Sequence, residues 1–469
     1  MFRSPPPPGA GPSCLLLVLA LPSAALADGP KILIFGGGPS PSLHQASIEV
    51  QTQRLISALQ SRSPLVVFGA PPEAPSPVQV EGEFDADAEL LGMLFDRPDA
   101  LHAAYRSQQI QSARPLTKDA LVDAIKLTVG SSSGAAIFGV GHGGRGEEQS
   151  GSTLELWGAD SLSVQELSTL LDDTRPPGPV AFVLGQCFSG GFTAIAMRKD
   201  RLVTPTRCVL AAVPSDREAA GCTSDVSSPD SRAYTHFVAR ALSAPDGDID
   251  GDGKVSLLEA HSRARILDPT IDVPVSSLEA YVAGAIDRRG KRPPIGRFTI
   301  DAILAIARPE EREVLKMLTP STTKTVGEVV ATRDSLNAEA DKTDEELTDR
   351  EDELDVIVRR IRIGFFGRWP ELANPFHKRS RQLLAGDARE VLDWVRSTHQ
   401  ADLEALADVT SEVRRLSDRL FAQERILAKL ERFVRSAEIV VFEQELRRRG
   451  TRAQRSELDA LLACERMVP

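Results

Sequence analysis

The sequence predicts an α/β fold, a mostly parallel sheet flanked by helices, continued by an all-α C-terminal region. Three observations carry this. Five short apolar runs in the first half are separated by helix-length segments. The runs are apolar throughout rather than alternating, as strands buried on both faces of a parallel sheet should be. From about Pro309 onward strand-like runs become scarce and charged, heptad-spaced sequence takes over.

The strand runs are Lys31–Phe35, Leu65–Phe68, Ala135–Val140, Val180–Leu184 and Cys208–Val213. Helical patterns lie between them. Ala46–Leu59 leads to the second run, and Thr117–Val129 precedes the third, with Thr117 placed as an N-cap. Ser163–Leu171 opens with Ser-Val-Gln-Glu, a capping-box pattern. Such alternation predicts a doubly wound domain. Pro72–Val80 reads as a surface stretch, and Gly146–Trp157 as a loop entering a small hairpin.

These patterns divide the chain into three segments: a leader over 1–27, the α/β domain over 28–307 and a helical region over 308–469. The leader has Arg3, an apolar core from Leu15 to Leu21, and Ala25-Leu26-Ala27 before Asp28. This is a secretory signal pattern, so the mature chain is expected in an exported compartment. No later run is long enough to span a bilayer. The net charge of −11 and the lack of a basic block argue against a nucleic-acid partner. Beyond Cys14 there are four cysteines, Cys187, Cys208, Cys222 and Cys464, too few for a disulfide scaffold. Cys208 and Cys222 either pair with each other or are two buried thiols.

In the tail, Leu336, Ala340, Thr343, Leu347, Leu354, Ile357 and Ile361 keep a 4-3 spacing. So do Leu406, Val409, Val413, Leu416, Leu420, Leu427, Leu430, Val434, Ala437 and Val441, interrupted at Gln423. The pattern fits an antiparallel coiled-coil arm or a helical bundle. A break is expected at Gly364–Pro375 and a further helix at Ser380–Thr398. These helices offer a surface for self-association or a partner.

Two motifs carry chemistry. Ala135–Val140 ends in Gly141-His142-Gly143-Gly144, and 45 residues after the histidine Val180–Leu184 ends in Gly185-Gln186-Cys187. In an open parallel sheet chemistry gathers at the carboxyl ends of strands. If the two strands are neighbours, His142 and Cys187 meet there. An imidazole beside a thiol shifts it toward thiolate. The Gly143 and Cys187 N–H groups are placed to form an oxyanion hole, and the glycines after Cys187 to allow a tight turn into a helix. The second motif, Asp248–Glu259, reads DIDGDGKVSLLE and fits the calcium-binding EF-hand loop. Its ligands are Asp248, Asp250, Asp252, the Lys254 carbonyl, Ser256 and Glu259, with Gly253 at the sharp turn. A structural Ca2+ is expected, and no organic cofactor.

The turns "GVGHGG" and "GQCFSGG" resemble the histidine and cysteine turns of the caspase-like cysteine peptidases, which include caspases, metacaspases, gingipains and legumains. "ILIFGGGPSPSLHQASIEVQ" is similar to the legumain-type first strand and helix, and "CVLAAVPSDREAAGCTSD" with "YTHFVARAL" to the segment after the cysteine. The resemblance covers about residues 31–285. It implies an endopeptidase acting on a peptide or protein substrate through Cys187 and His142. Two positions depart from it. Gly185 stands where relatives often carry a charged or amide residue, and Leu43 where the legumain type has arginine, so no charged specificity pocket is implied; His44 reads as structural. An α/β-hydrolase elbow fits poorly, because Ser189 occupies its glycine position and its histidine would have to follow the cysteine. The other reading is a catalytically inactive caspase-like scaffold with a coiled-coil interaction arm.

Overall fold

The structure is a computed structural model. It describes residues 29–469 apart from 75–76, 84, 96–103, 111–113, 147–150, 291, 375–376 and 385–387. The expected leader and Cys14 therefore lie outside the described residues.

The apolar runs form a six-stranded sheet: β1 Lys31–Gly37, β2 Leu65–Phe68, β3 Ala135–Gly141, β4 Val180–Leu184, β5 Arg207–Ala211 and β6 Val275–Ser276. In space the order is β6-β5-β4-β3-β1-β2. All neighbours are parallel except the edge strand β6, which pairs antiparallel with β5. Alternate residues face two separate apolar layers. Ile32, Ile34, Phe138, Val183 and Leu210 point into one, and Leu33, Phe35, Ile137, Phe182 and Val209 into the other. Neither layer meets water, which is why the strands read as unbroken apolar runs.

The helices begin where the sequence supplies caps. Thr117 caps Lys118–Val129, and Ser163 with Glu166 makes the capping box of Val164–Thr174. Beside the main sheet, Gly143–Gly144, Thr153–Leu156 and Asp160–Ser163 form a small antiparallel sheet.

The tail holds two long helices, Val326–Arg368 and Gln400–Arg449. Ion pairs Arg333–Glu431 and Arg360–Asp402 set them antiparallel. At about 1.5 Å per residue the first is roughly 65 Å long. The expected break starts only at Trp369, because Gly364–Arg368 completes the first helix and buries Phe365. Gln423 does not interrupt the second. The expected helix over 380–398 is two helices, Lys378–Leu384 and Arg389–Thr398.

The tail does not stand apart. Leu430, Phe433, Val434 and Ala437 of the second long helix share one apolar layer with Ile34 and Leu210 of the sheet. Ion pairs add to this: buried Arg265 pairs with buried Glu311, and Arg425 and Arg435 of the second long helix pair with Asp230 and Glu279 of the α/β part. At the distal end of the arm, Ile357, Ile361 and Phe365 pack on Leu90, Leu91 and Phe95 of the α/β part.

Cysteine pairing differs from the expectation. Cys208 on β5 is disulfide-bonded to Cys464 in the terminal helix Arg452–Glu465, and Cys222 is a free thiol. Cys208 faces the layer that the terminal helix covers. Cys222 instead lies at the carboxyl edge, where its Sγ donates to the Gly141 carbonyl at 3.5 Å.

Candidate active site

β3 and β4 are adjacent and in register from Ala135↔Val180 to Gly139↔Leu184. The Gly185 N–H extends the ladder by donating to the Gly139 carbonyl at 2.9 Å. The His142-Gly143 and Gln186-Cys187 turns therefore leave the sheet side by side at its carboxyl edge. The chain reverses its strand order between β1 and β3, the place where open α/β sheets hold ligands.

The two turns touch through Gly143. A Cβ there would lie 2.3 Å from the Cys187 carbonyl oxygen and 2.7 Å from Gln186 Cγ, so only glycine fits. Gly143 pairs with Leu154 in the small sheet, but the adjoining ladder bond runs from Glu155 N–H to the His142 carbonyl. At such a non-hydrogen-bonded pair the glycine N–H turns away from the partner strand.

The two side chains are held by other residues rather than by each other. His142 Nε2 lies 2.8 Å from Gln45 Oε1, at the start of the helix after β1. The Cys187 thiol accepts from the Ala219 N–H at 3.2 Å and faces the Ala219 carbonyl at 3.7 Å. Among the described residues no hydrogen bond joins His142 to Cys187. Burial pushes the Cys187 thiol up; the Ala219 N–H opposes this, while the charges of Glu218 and Asp272 add to it. Burial lowers His142, against the Leu43 carbonyl and Glu155. The resting pair is thus a neutral thiol and a neutral imidazole, not the ion pair that adjacency alone suggests.

The turn after the cysteine also differs from expectation. The left-handed residue is Phe188, at φ 57°, which caps the short helix Ser189–Ala196. Gly190 serves close packing instead: a Cβ there would meet the Val213 carbonyl at 2.7 Å. Gly185 has a packing reason as well, since a side chain would strike Thr235 Cγ2 at 2.5 Å. The space for a charged residue at this position is taken by Thr235, whose hydroxyl donates to Gln51. His44 is fully buried against Phe68 and Trp157, and burial lowers its pKa to about 4. Leu43 is 41% exposed.

Three features had no role assigned from sequence. Gln45 lies just after the first strand run, but its pairing with His142 depends on β1 and β3 being neighbours. Gln186 is buried, and among the described residues neither polar atom of its amide finds a partner. Residues 219–223 form a wall opposite the thiol. The Gly221 carbonyl accepts from Ser47 Oγ at 2.7 Å and Gln51 Nε2 at 2.9 Å.

In the acidic loop, Asp248, Asp250 and Asp252 bring ligand oxygens within 4.8 Å of one another. Gly251 and Gly253 take positive φ, and their N–H groups donate to Asp248. These three carboxylates fit a hard, oxygen-seeking cation. Ser256 and Glu259 are arranged differently: they form a capping box at the start of Leu257–Leu267. Glu259 also accepts from the Ile249 and Asp250 N–H groups.

Comparison of the chain with protein-family models and with curated proteins gave no match.

Proposed function

We propose that this protein is an exported cysteine endopeptidase of the caspase-like class. The observation that carries the reading is the contact of the two turns at the carboxyl edge, with Gly143 packed on the Cys187 carbonyl. A mostly parallel sheet with helices on both faces agrees with the resemblance in the two turns. The Cys208–Cys464 bond supports an oxidising compartment. Among the described residues no helix is long and apolar enough to cross a membrane.

In this mechanism Cys187 Sγ attacks the scissile carbonyl while His142 accepts the thiol proton. The Gly143 and Cys187 N–H groups stabilise the oxyanion. His142 then returns the proton to the leaving amine as the C–N bond breaks. Water hydrolyses the thioester, releasing a carboxylic acid and restoring the thiol. The resting neutral pair requires proton transfer only as the carbonyl is attacked, and catalytic hydrogen bonds often tighten only with substrate bound. Asp248, Asp250 and Asp252 would hold Ca2+, joined by the Lys254 carbonyl, and by Ser256 and Glu259 if the capping box opens. A bound ion would brace the loop between Tyr234–Ser243 and Leu257–Leu267.

The absence of a direct His142–Cys187 hydrogen bond among the described residues favours the second reading, a caspase-like scaffold without activity. A thiol-reactive peptidyl probe separates the two. The enzyme reading expects covalent labelling that vanishes in Cys187→Ala and drops at least tenfold in His142→Ala. No labelling of the folded protein, with or without calcium, would leave the scaffold.

A further inference from the structure

The thiol of Cys187 is held by one backbone group, and that group is fixed by a chain of contacts that ends in the C-terminal arm. The Ala219 N–H donates to Cys187 Sγ at 3.2 Å. The next N–H, that of Ala220, donates to Asp272 Oδ1 at 2.7 Å, and the Tyr234 N–H to Asp272 Oδ2 at 3.2 Å. Asp272 is fully buried, so its carboxyl locks the peptide beside the nucleophile to the start of the Tyr234–Ser243 helix.

Asp272 itself lies in a turn without regular structure, residues 268–272, leading into β6. What holds that turn is Arg432 of the second long helix. This arginine is 2% exposed. Its guanidinium donates to main-chain carbonyls: Nε to Asp272 at 2.6 Å, Nη1 to Asp268 at 2.5 Å and Arg265 at 3.4 Å, and Nη2 to Thr270 at 2.9 Å. A planar fork satisfying several carbonyls at once fixes the turn more firmly than a flexible ammonium would. Burying a guanidinium is costly unless its donors are met, so the site strongly prefers this one geometry.

On the reading of Cys187 as nucleophile, we infer that Arg432 and Asp272 are positioning residues for its thiol, which makes the arm part of the active site. Without the clamp, the Ala219 N–H drifts from the sulfur. A thiolate formed during attack then loses a charge-assisted hydrogen bond, and the carbonyl beside it loses a fixed wall. The Glu218 charge opposes thiolate, and so do Asp272 and the neighbouring Cys222 when they ionise, although burial pushes both of those groups up toward their protonated forms. The Ala219 N–H is the compensating donor.

The test compares Arg432→Lys with Arg265→Lys in the full chain. Arg265 is equally buried, but its side chain bonds Glu311 and Ser436 rather than the turn. Alkylation of Cys187 by iodoacetamide, followed against pH by mass spectrometry, needs no peptidase activity. In Arg432→Lys the midpoint should rise by about one pH unit, and peptide turnover should fall about tenfold with KM changed less than twofold. Arg265→Lys should lose thermal stability while keeping the wild-type midpoint. Asp272→Asn, which keeps the shape but loses one acceptor, should show the same fall in kcat. An unmoved midpoint in a folded Arg432→Lys, or an equal shift in Arg265→Lys, would overturn the inference. Should Arg432→Lys not fold, an unchanged kcat in Asp272→Asn overturns it. If the wild-type protein takes no peptidyl probe, the enzyme reading fails, and the alkylation midpoints still decide whether the clamp acts on the thiol.

Discussion

Gln45 and His142 meet across the carboxyl ends of β1 and β3, with Oε1 and Nε2 2.8 Å apart. The amide oxygen can only accept, so this contact orients the ring through Nε2–H. Gln45→Leu removes that orientation at a net cost of about 1 kcal/mol in stability. Probe labelling of Cys187 should fall about tenfold with the melting temperature nearly unchanged. Gln45→Glu places an anion against Nε2 and favours imidazolium. A base that must be neutral is then available only at higher pH, so the acid limb of the labelling profile should move upward. A limb that stays in place would disconnect Gln45 from the chemistry.

Gly143 is constrained from two sides, by the Cys187 carbonyl and by Gln186. Gly143→Ala must push the cysteine turn away from the small sheet. Labelling should drop by more than tenfold, and the melting temperature should fall as well, since displaced backbone rather than a flexible side chain has to yield. Full labelling in a folded Gly143→Ala variant would remove the proposed oxyanion site.

The carboxylates of Asp248, Asp250 and Asp252 crowd one another. The Asp250 carboxyl is raised, first by loss of solvent and then by the charges of Glu259 and Asp252. A cation relieves that crowding. Calcium at about a hundred times its Kd should stabilise the protein by roughly 2.7 kcal/mol. Calorimetry should record a higher melting temperature with calcium than with chelator, and the difference should vanish in Asp248→Asn/Asp250→Asn. Identical melting curves for the wild type in both conditions would exclude a calcium site of any structural weight.

Glu465, in the terminal helix, is fully buried, and burial pushes its pKa up to about 8 against the help of the Leu278 N–H and Arg308. Its Oε1 accepts from Leu278 N–H at 2.7 Å, while Oε2 has no hydrogen-bond partner among the described residues. The folded chain keeps this proton to about pH 8, whereas an unfolded chain releases it near the ordinary value of 4.5. Stability contributed by the protonated group is complete below that value and is lost as pH rises toward 8. Glu465→Gln should therefore become more stable than the wild type across this window, by a few kcal/mol at the upper end. Urea unfolding at several pH values reads the difference, and parallel curves would contradict it.

The sheet was legible because strands covered on both faces admit only apolar residues, and Leu65–Phe68 and Val180–Leu184 begin and end where the apolar runs do. The meeting of the His142 and Cys187 turns was legible for a related reason: once two runs are parallel neighbours, the turns at their carboxyl ends must emerge at the same edge. The partners of those side chains were not. Ala219 acts through its main chain, which carries no residue signature, and Asp272 and Arg432 are 160 residues apart. Cysteine pairing was hidden in a similar way. Cys222 is near Cys208 in sequence, but β5 carries Cys208 into an apolar layer while Cys222 stays at the rim. The distinction between Glu259 as a ligand and Glu259 as a helix cap was also hidden, because an S-x-x-E pattern serves both purposes.

The bond between Cys208 and Cys464 closes a covalent ring of most of the chain, across a separation of 256 residues. Any single cut inside that ring, by whatever protease, leaves both pieces joined. Such a nicked molecule would run at full mass on a gel until a reductant is added. A single cleavage within the ring and separation of the resulting pieces are consequently distinct events in this fold, the first a matter of peptide bonds and the second of sulfur chemistry.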